Sequence, residues 1–142
     1  MINRLSPTLR REVARRARYS CSYCRSREQI VGAAFTVDHI IPQALGGSDE
    51  IANLCFACWD CNRLKHVHIT GIDPVSGERV ALFDPNNQSW TEHFQWEHDG
   101  RFVAGLTATG RATVERLQLN RPILVRARTQ WIRAGWHPPD ED

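Results

Sequence analysis

The sequence predicts a single α+β domain, residues 1–142, stapled by a four-cysteine cluster. Three observations predict it. Two Cys-x-x-Cys pairs, Cys21/Cys24 and Cys58/Cys61, stand 33 residues apart. Short β-branched and aromatic runs, bounded by Gly, Pro, Asn and Asp turns, lie between and beyond those pairs. Amphipathic helical stretches flank them on both sides. A length of 142 residues is the usual size of one domain.

The elements follow in order. Ser6-Pro7 reads as a helix start, with Ser as N-cap and Pro at the first helical position. Leu9, Val13, Ala14 and Ala17 recur at helical spacing over residues 7–18. Ala34-Phe35-Thr36-Val37 reads as a strand that leads into Asp38-His39 and ends at Pro42. Gly46-Gly47-Ser48-Asp49 is a loop, Ile51–Leu54 a second short strand, and 59–66 a helix. Residues 73–78 form a turn, Val80–Phe83 a strand, and 84–87 another turn. Phe94–Trp96 and Arg101–Val103 flank Asp99-Gly100, a hairpin signal. A helix over 111–118, capped by Thr109 or Gly110, precedes a break at 119–122 and a last helix over 122–134. The tail from Pro138 to Asp142 is expected to fray.

Composition bounds the class. With 42% hydrophobic and 24% charged residues the chain reads as soluble and globular. It has no run of 18 apolar residues and no apolar segment behind its basic N-terminus, so neither a membrane span nor a secretory signal is expected. The expected compartment is the cytoplasm. Charge is segregated: residues 1–30 carry eight Arg against two Glu, 31–100 carry three basic against ten acidic side chains, and 101–142 carry seven Arg against four acids. An acidic middle between Arg-rich ends fits a metal site flanked by surfaces for phosphate. The preference for Arg, 17 against a single Lys65, suits phosphate recognition. It is equally what genomic base composition would produce.

Five cysteines in a leaderless chain argue for metal or redox use rather than disulfides. Each two-residue gap lets both thiolates face one ion, and two pairs complete the tetrahedral sulfur set of structural Zn2+. A site closed by Cys21, Cys24, Cys58 and Cys61 has no open position for catalysis. No thioredoxin-like pattern surrounds either pair, which disfavours a redox role. Cys55 is left over as a buried thiol.

Between and beside the pairs stand Asp38, His39, Asn53 and Asn62. Asp38 and Asn62 offer oxygen donors that suit a hard divalent ion such as Mg2+. His39 offers an imidazole that can take a proton from water near neutral pH. Adjacent strand residues point to opposite faces, so Asp38 and His39 converge only if the strand bends near Pro42. Each residue alone has an ordinary reading: turn, cap or surface.

Taken in order, Cys21-x2-Cys24, Val37-Asp38-His39-Ile40-Ile41-Pro42, Gly46-Gly47, Asn53-Leu54 and Cys58-x2-Cys61-Asn62-x2-Lys65 resemble the HNH endonuclease family over residues 18–66. The resemblance implies a ββα-metal core, the His-Me finger, with 67–137 as a C-terminal hairpin and helical extension packed on it. It implies His39 as general base, Asp38 as a ligand of a catalytic Mg2+ or Mn2+, and Asn53 as the residue that orients the loop beside the base. Asn62 stands where many members carry His, as in HNN-type nucleases, and would be the second ligand of that ion. DNA is the implied partner, held through phosphate contacts by Lys65 and Arg63 on the helix after the second pair and by Arg15, Arg16 and Arg18 on the first helix. Arg126, Arg128 and Arg133 would add to that surface. Leu117, Leu119, Ile123, Leu124, Ala127 and Trp131 would pack the extension. The aromatic block 82–97 reads as core. The rival reading is a zinc-stapled nucleic-acid-binding or interaction module without catalysis. The sequence leaves open a protein partner or a homodimer.

Overall fold

The computed structural model describes residues 5–140 as mixed α and β structure in two compact units. The first comprises Met1–Ile69 with Asp84–Asn87, the second Thr70–Phe83 with Gln88–Asp142.

In the first unit, α1 spans Pro7–Arg16. Ser6 caps it, its hydroxyl accepting from the Leu9 N–H at 3.1 Å, and Pro7 opens it where no N–H is needed. The helix stops two residues short of the expected Arg18, because Arg18 and Tyr19 take φ of 53° and 58°. That left-handed corner turns the chain into the first cysteine pair. A one-turn helix not legible in the sequence, α2 (Glu28–Val31), follows and ends at Gly32 with φ of 76°.

Strands β1 (Thr36–His39) and β2 (Leu54–Ala57) form an antiparallel hairpin in which Asp38 faces Cys55 and His39 faces Leu54. The second strand begins later than expected, since Ile51–Asn53 form a 3-10 turn. Then α3 (Trp59–Lys65) begins directly at the second cysteine pair, with Cys58 as its N-cap. One apolar cluster joins α1 to the hairpin: Leu5, Val13, Ala14, Leu54 and Phe56, with Leu9, Phe35, Val37 and Ile51 against it. The segment 84–87 is tied in by Asn86, whose amide donates to the carbonyls of Ala52 and Leu54 at 2.9 Å each.

The second unit contains the hairpin β3 (Thr70–Ile72) and β4 (Arg79–Ala81), the one-turn helix α4 (Trp90–His93), and the hairpin β5 (Phe94–Glu97) and β6 (Phe102–Gly105) around Asp99-Gly100. Helices α5 (Ala108–Arg116) and α6 (Pro122–Arg133) complete it. Thr107, not Thr109 or Gly110, caps α5, its hydroxyl accepting from the Gly110 N–H at 3.0 Å. Gly110 is needed for closeness: a Cβ there would lie 2.0 Å from the His93 carbonyl oxygen.

Phe83, Trp90 and Phe94 stack edge-on and tilted within this unit's core, as the aromatic block suggested. Leu117, Leu119 and Leu124 are buried with them, but Ile123 is 64% exposed. Arg128 does not face solvent either. It is fully buried, its guanidinium 5.3 Å from the Trp96 ring centre and donating to the Arg101 carbonyl at 3.1 Å. Arg126 and Arg133 are exposed.

Asp73 is the buried polar anchor of this unit. Arg111 grips its carboxylate through two hydrogen bonds of 2.8 and 2.9 Å, while the Val75 N–H and Ser76 hydroxyl donate at 3.0 and 2.9 Å. The Arg111 guanidinium, first among these donors, holds the Asp73 carboxyl well below the usual carboxylate range. A depressed folded pKa contributes stability above the unfolded value, near ~3.9, that is lost as pH falls toward the folded one. Asp73→Asn is therefore expected to lower the urea midpoint at neutral pH, with the gap from the unmodified protein closing below about pH 4. A gap that stays constant from pH 7 to pH 2 would contradict this account.

Candidate functional site

Four cysteines form the firmest local feature. Cys21, Cys24, Cys58 and Cys61 are buried free thiols whose sulfurs all lie within 4.8 Å of one another. Backbone hydrogen bonds shape the first pair: Cys21 N–H donates to Ser26 at 2.8 Å, and Arg25 N–H returns to Cys21 at 3.0 Å. The second pair is shaped by the start of α3, where Cys61 N–H donates to Cys58 Sγ at 3.4 Å. A tetrahedral ion with arms of about 2.3 Å needs sulfurs about 3.8 Å apart, and Cys24 Sγ and Cys58 Sγ are separated by 3.8 Å. The donor set and its spacing fit a structural zinc, which these four residues would hold without an open position.

The hairpin above this cluster carries Asp38 and His39, and the two side chains go separate ways. Asp38 is 3% exposed. Its Oδ2 accepts from the Tyr23 hydroxyl at 2.7 Å, and Lys65 Nζ lies 3.2 Å from the same oxygen and 3.4 Å from Oδ1. Burial pushes the Asp38 carboxyl up, against the pull of Lys65 and Tyr23. Cys55, opposite Asp38 in the register, is a buried thiol donating toward both Tyr23 Oη and Asp38. Burial pushes that thiol above its usual range, with the Asp38 charge adding to the effect.

His39 is half-buried at the end of β1, and its Nε2 lies 2.7 Å from Asp49 Oδ1. Hydrogen bonds from His39, then from Gln43, hold the Asp49 carboxyl below its ordinary range.

The loop between the strands is fixed by Asn53. Its Oδ1 accepts from the Ile41 N–H at 2.9 Å, and its Nδ2 donates to the Ile41 and Ser48 carbonyls at 3.0 and 2.8 Å. Gly47 passes so close to this clamp that a Cβ would fall 1.7 Å from the Ile41 oxygen. Asn62 is half-buried on α3, one turn before Lys65. Among the described residues no hydrogen bond or ion pair joins the side chains of Asp38, His39 and Asn62. On the outer surface Arg15 and Arg16 are exposed and paired with Glu12, Arg63 is exposed and paired with Asp60, and Arg18 is exposed.

Residues 21–68, which span both cysteine pairs, the hairpin, its loop and α3, match the family model described as HNH endonuclease. They form an HNH endonuclease domain. No curated protein and no solved structure matches the chain. The domain lies wholly within the first unit. Among the described residues no helix is long and apolar enough to cross a membrane.

Within the HNH domain two of the expected site residues are buried. Lys65, expected on DNA phosphate, is 1% exposed, and its ammonium donates to Asp38 and to the carbonyls of His39 and Ile40 at 3.0 and 3.1 Å. It is a pin between α3 and β1. Asp38, expected on a catalytic Mg2+ or Mn2+, already has its charge matched by that ammonium in a site closed to water. A hard divalent ion needs open, negatively charged oxygens. To take such an ion, Asp38 would first have to release the Lys65 ammonium.

Two contributors were missed in the sequence. Asp49 sits in a Gly-Gly-Ser-Asp loop with no periodic pattern to mark it. Tyr23, fully buried within the first cysteine pair, gave no signal beyond its position.

Proposed function

We propose that the HNH domain makes this protein an endonuclease that hydrolyses phosphodiester bonds in DNA, with His39 as the general base. The observation that carries the reading is His39 itself. It stands partly open to solvent at a strand end, inside the segment matching the HNH endonuclease model, on a hairpin anchored to α3 and the cysteine cluster. In the reaction a water oxygen bonds to phosphorus, its proton passes to the His39 imidazole, and the bond from phosphorus to the leaving sugar oxygen breaks. The pair β1–β2 with α3 is the ββα-metal element of this proposal, and Asn62 makes it an HNN-type variant. Asn53 supports the base by clamping Ile41 and Ser48, so that His39 is presented from a rigid loop. Arg15, Arg16, Arg18 and Arg63 supply exposed charge for the phosphate backbone, a contact without base specificity.

The test is a supercoiled-plasmid assay in Mg2+, Mn2+ and EDTA, with a folded His39→Ala protein beside the unmodified one. Loss of a general base is expected to lower the nicking rate by about 10²–10⁴-fold, with DNA affinity unchanged. The Asp38–Lys65 pairing favours a second reading, a zinc-stapled DNA-binding module without catalysis. Salt-sensitive DNA binding with no cleavage in any of the three conditions would select it.

A further inference from the structure

We propose that Asp49 is the positioning residue that locks His39 in one tautomer, with Nε2 protonated and Nδ1 left as the atom that accepts a proton. The inference rests on the reading of His39 as the base, and it specifies which nitrogen acts.

A carboxylate can only accept hydrogen bonds, whereas a neutral imidazole has one donor and one acceptor nitrogen. The 2.7 Å contact between His39 Nε2 and Asp49 Oδ1 therefore places the ring hydrogen on Nε2 and the lone pair on Nδ1. The same carboxylate oxygen accepts from Gln43 Nε2 at 2.9 Å, which fixes the Asp49 side chain from a second direction. Its backbone is fixed as well. Asn53 holds the carbonyl of Ser48, the preceding residue, and Gly47 is pressed against Ile41 where no other residue fits. The strand end that bears His39 is bound to the same clamp, because Ile40 N–H donates to the Asn53 carbonyl at 2.9 Å. Both partners of the contact are thus carried by backbone that Asn53 ties together. His39 is 19% exposed and Asp49 41%, so the pair is shielded enough to persist and open enough for water to reach the ring. A base oriented by a third group is the arrangement that nucleophile activation requires in other hydrolases.

Asp49→Asn tests this without disturbing a buried position. The replacement amide can turn its NH2 toward His39 Nε2, which would force the hydrogen onto Nδ1 and remove the acceptor. The tautomer is read by long-range 1H–15N correlation of the His39 ring, assigned by its disappearance in His39→Ala. The unmodified protein is expected to show the Nε2–H form, and Asp49→Asn to move to Nδ1–H or a mixture. Plasmid nicking by Asp49→Asn is expected to fall by about 100-fold or more, at the scale of a lost general base. DNA binding should stay within about twofold, since Asp49 touches no phosphate in this scheme and phosphate charge dominates affinity. An Nε2–H tautomer retained in Asp49→Asn, or nicking at the unmodified rate, would overturn the proposal. Should the unmodified protein cleave nothing, the reading of His39 as a base fails, while the tautomer measurement still decides the role of Asp49.

Discussion

Replacing Cys58 by serine is expected to abolish metal binding and unfold the first unit. Cys58 has two tasks, and serine separates them. As N-cap of α3 its sulfur accepts from the Cys61 N–H, and serine caps a helix at least as well. As a ligand of the zinc that the four cysteines could hold, it would supply a thiolate, which serine cannot. The loss is therefore attributable to the ion. Structural zinc sites contribute about 10–16 kcal/mol of apparent binding free energy at neutral pH, comparable to the whole stability of a domain, about 5–15 kcal/mol. The apolar cluster of this unit is small, five buried side chains between α1 and the hairpin, and cannot replace that contribution. Elemental analysis should find one zinc per chain in the unmodified protein and none in Cys58→Ser. Hydrogen exchange should show β1 and β2 losing protection, with β5 and β6 as the reference within the same chain. A zinc-free Cys58→Ser protein with a protected β1–β2 hairpin would sink the assignment.

Lys65→Ala is expected to destabilise the same unit by about 3–5 kcal/mol, the usual cost of leaving a buried charge uncompensated. The side chains of Lys65 and Asp38 are 2% and 4% exposed, so solvent cannot step in for the lost ammonium. The carbonyls of His39 and Ile40 lose their donor at the same time. The deficit should carry a pH signature. Without Lys65 the buried Asp38 carboxyl rises further above its unfolded value. The penalty is then full at neutral pH and shrinks as the pH drops through the folded pKa, because protonation removes the unpaired charge. Adding Asp38→Asn should recover part of the loss at pH 7, a coupling that a double-mutant cycle measures directly. If Lys65→Ala cost nothing in a urea titration, the ammonium would not be the pin between α3 and β1.

The four-cysteine cluster and the main helices could be read from the sequence because their determinants are local. A two-residue gap brings two thiolates together whatever the rest of the chain does. Ser6-Pro7 and Pro122 set helix starts by their own dihedral preferences. Asp99-Gly100 sets a hairpin for the same reason. The first strand follows from the β-branched and aromatic run Ala34-Phe35-Thr36-Val37, although the structure shifts it to Thr36–His39, with Asp38 buried and His39 half-buried.

Which partner each side chain finds is a different kind of question, decided by where a loop of fourteen residues between β1 and β2 returns. Asn53 clamps that loop with its side chain, which turns Ile51–Asn53 into a 3-10 turn, delays β2 to Leu54 and delivers Asp49 to His39. The packing of α3 on β1 takes Lys65 from an expected phosphate contact to the interior, where Asp38 and the carbonyls of His39 and Ile40 receive its ammonium. Arg128 repeats the lesson in the second unit: its spacing on α6 reads as a charged surface position, yet Trp96 and the Arg101 carbonyl enclose it. Sequence thus determined the residues that could do the chemistry, because residue type and short spacing are covalent facts. Tertiary structure alone decided which of them are open to solvent and which are neutralised. Burial and pairing depend on elements far apart in the chain, and a charge removed from water acts only through the partner it meets there.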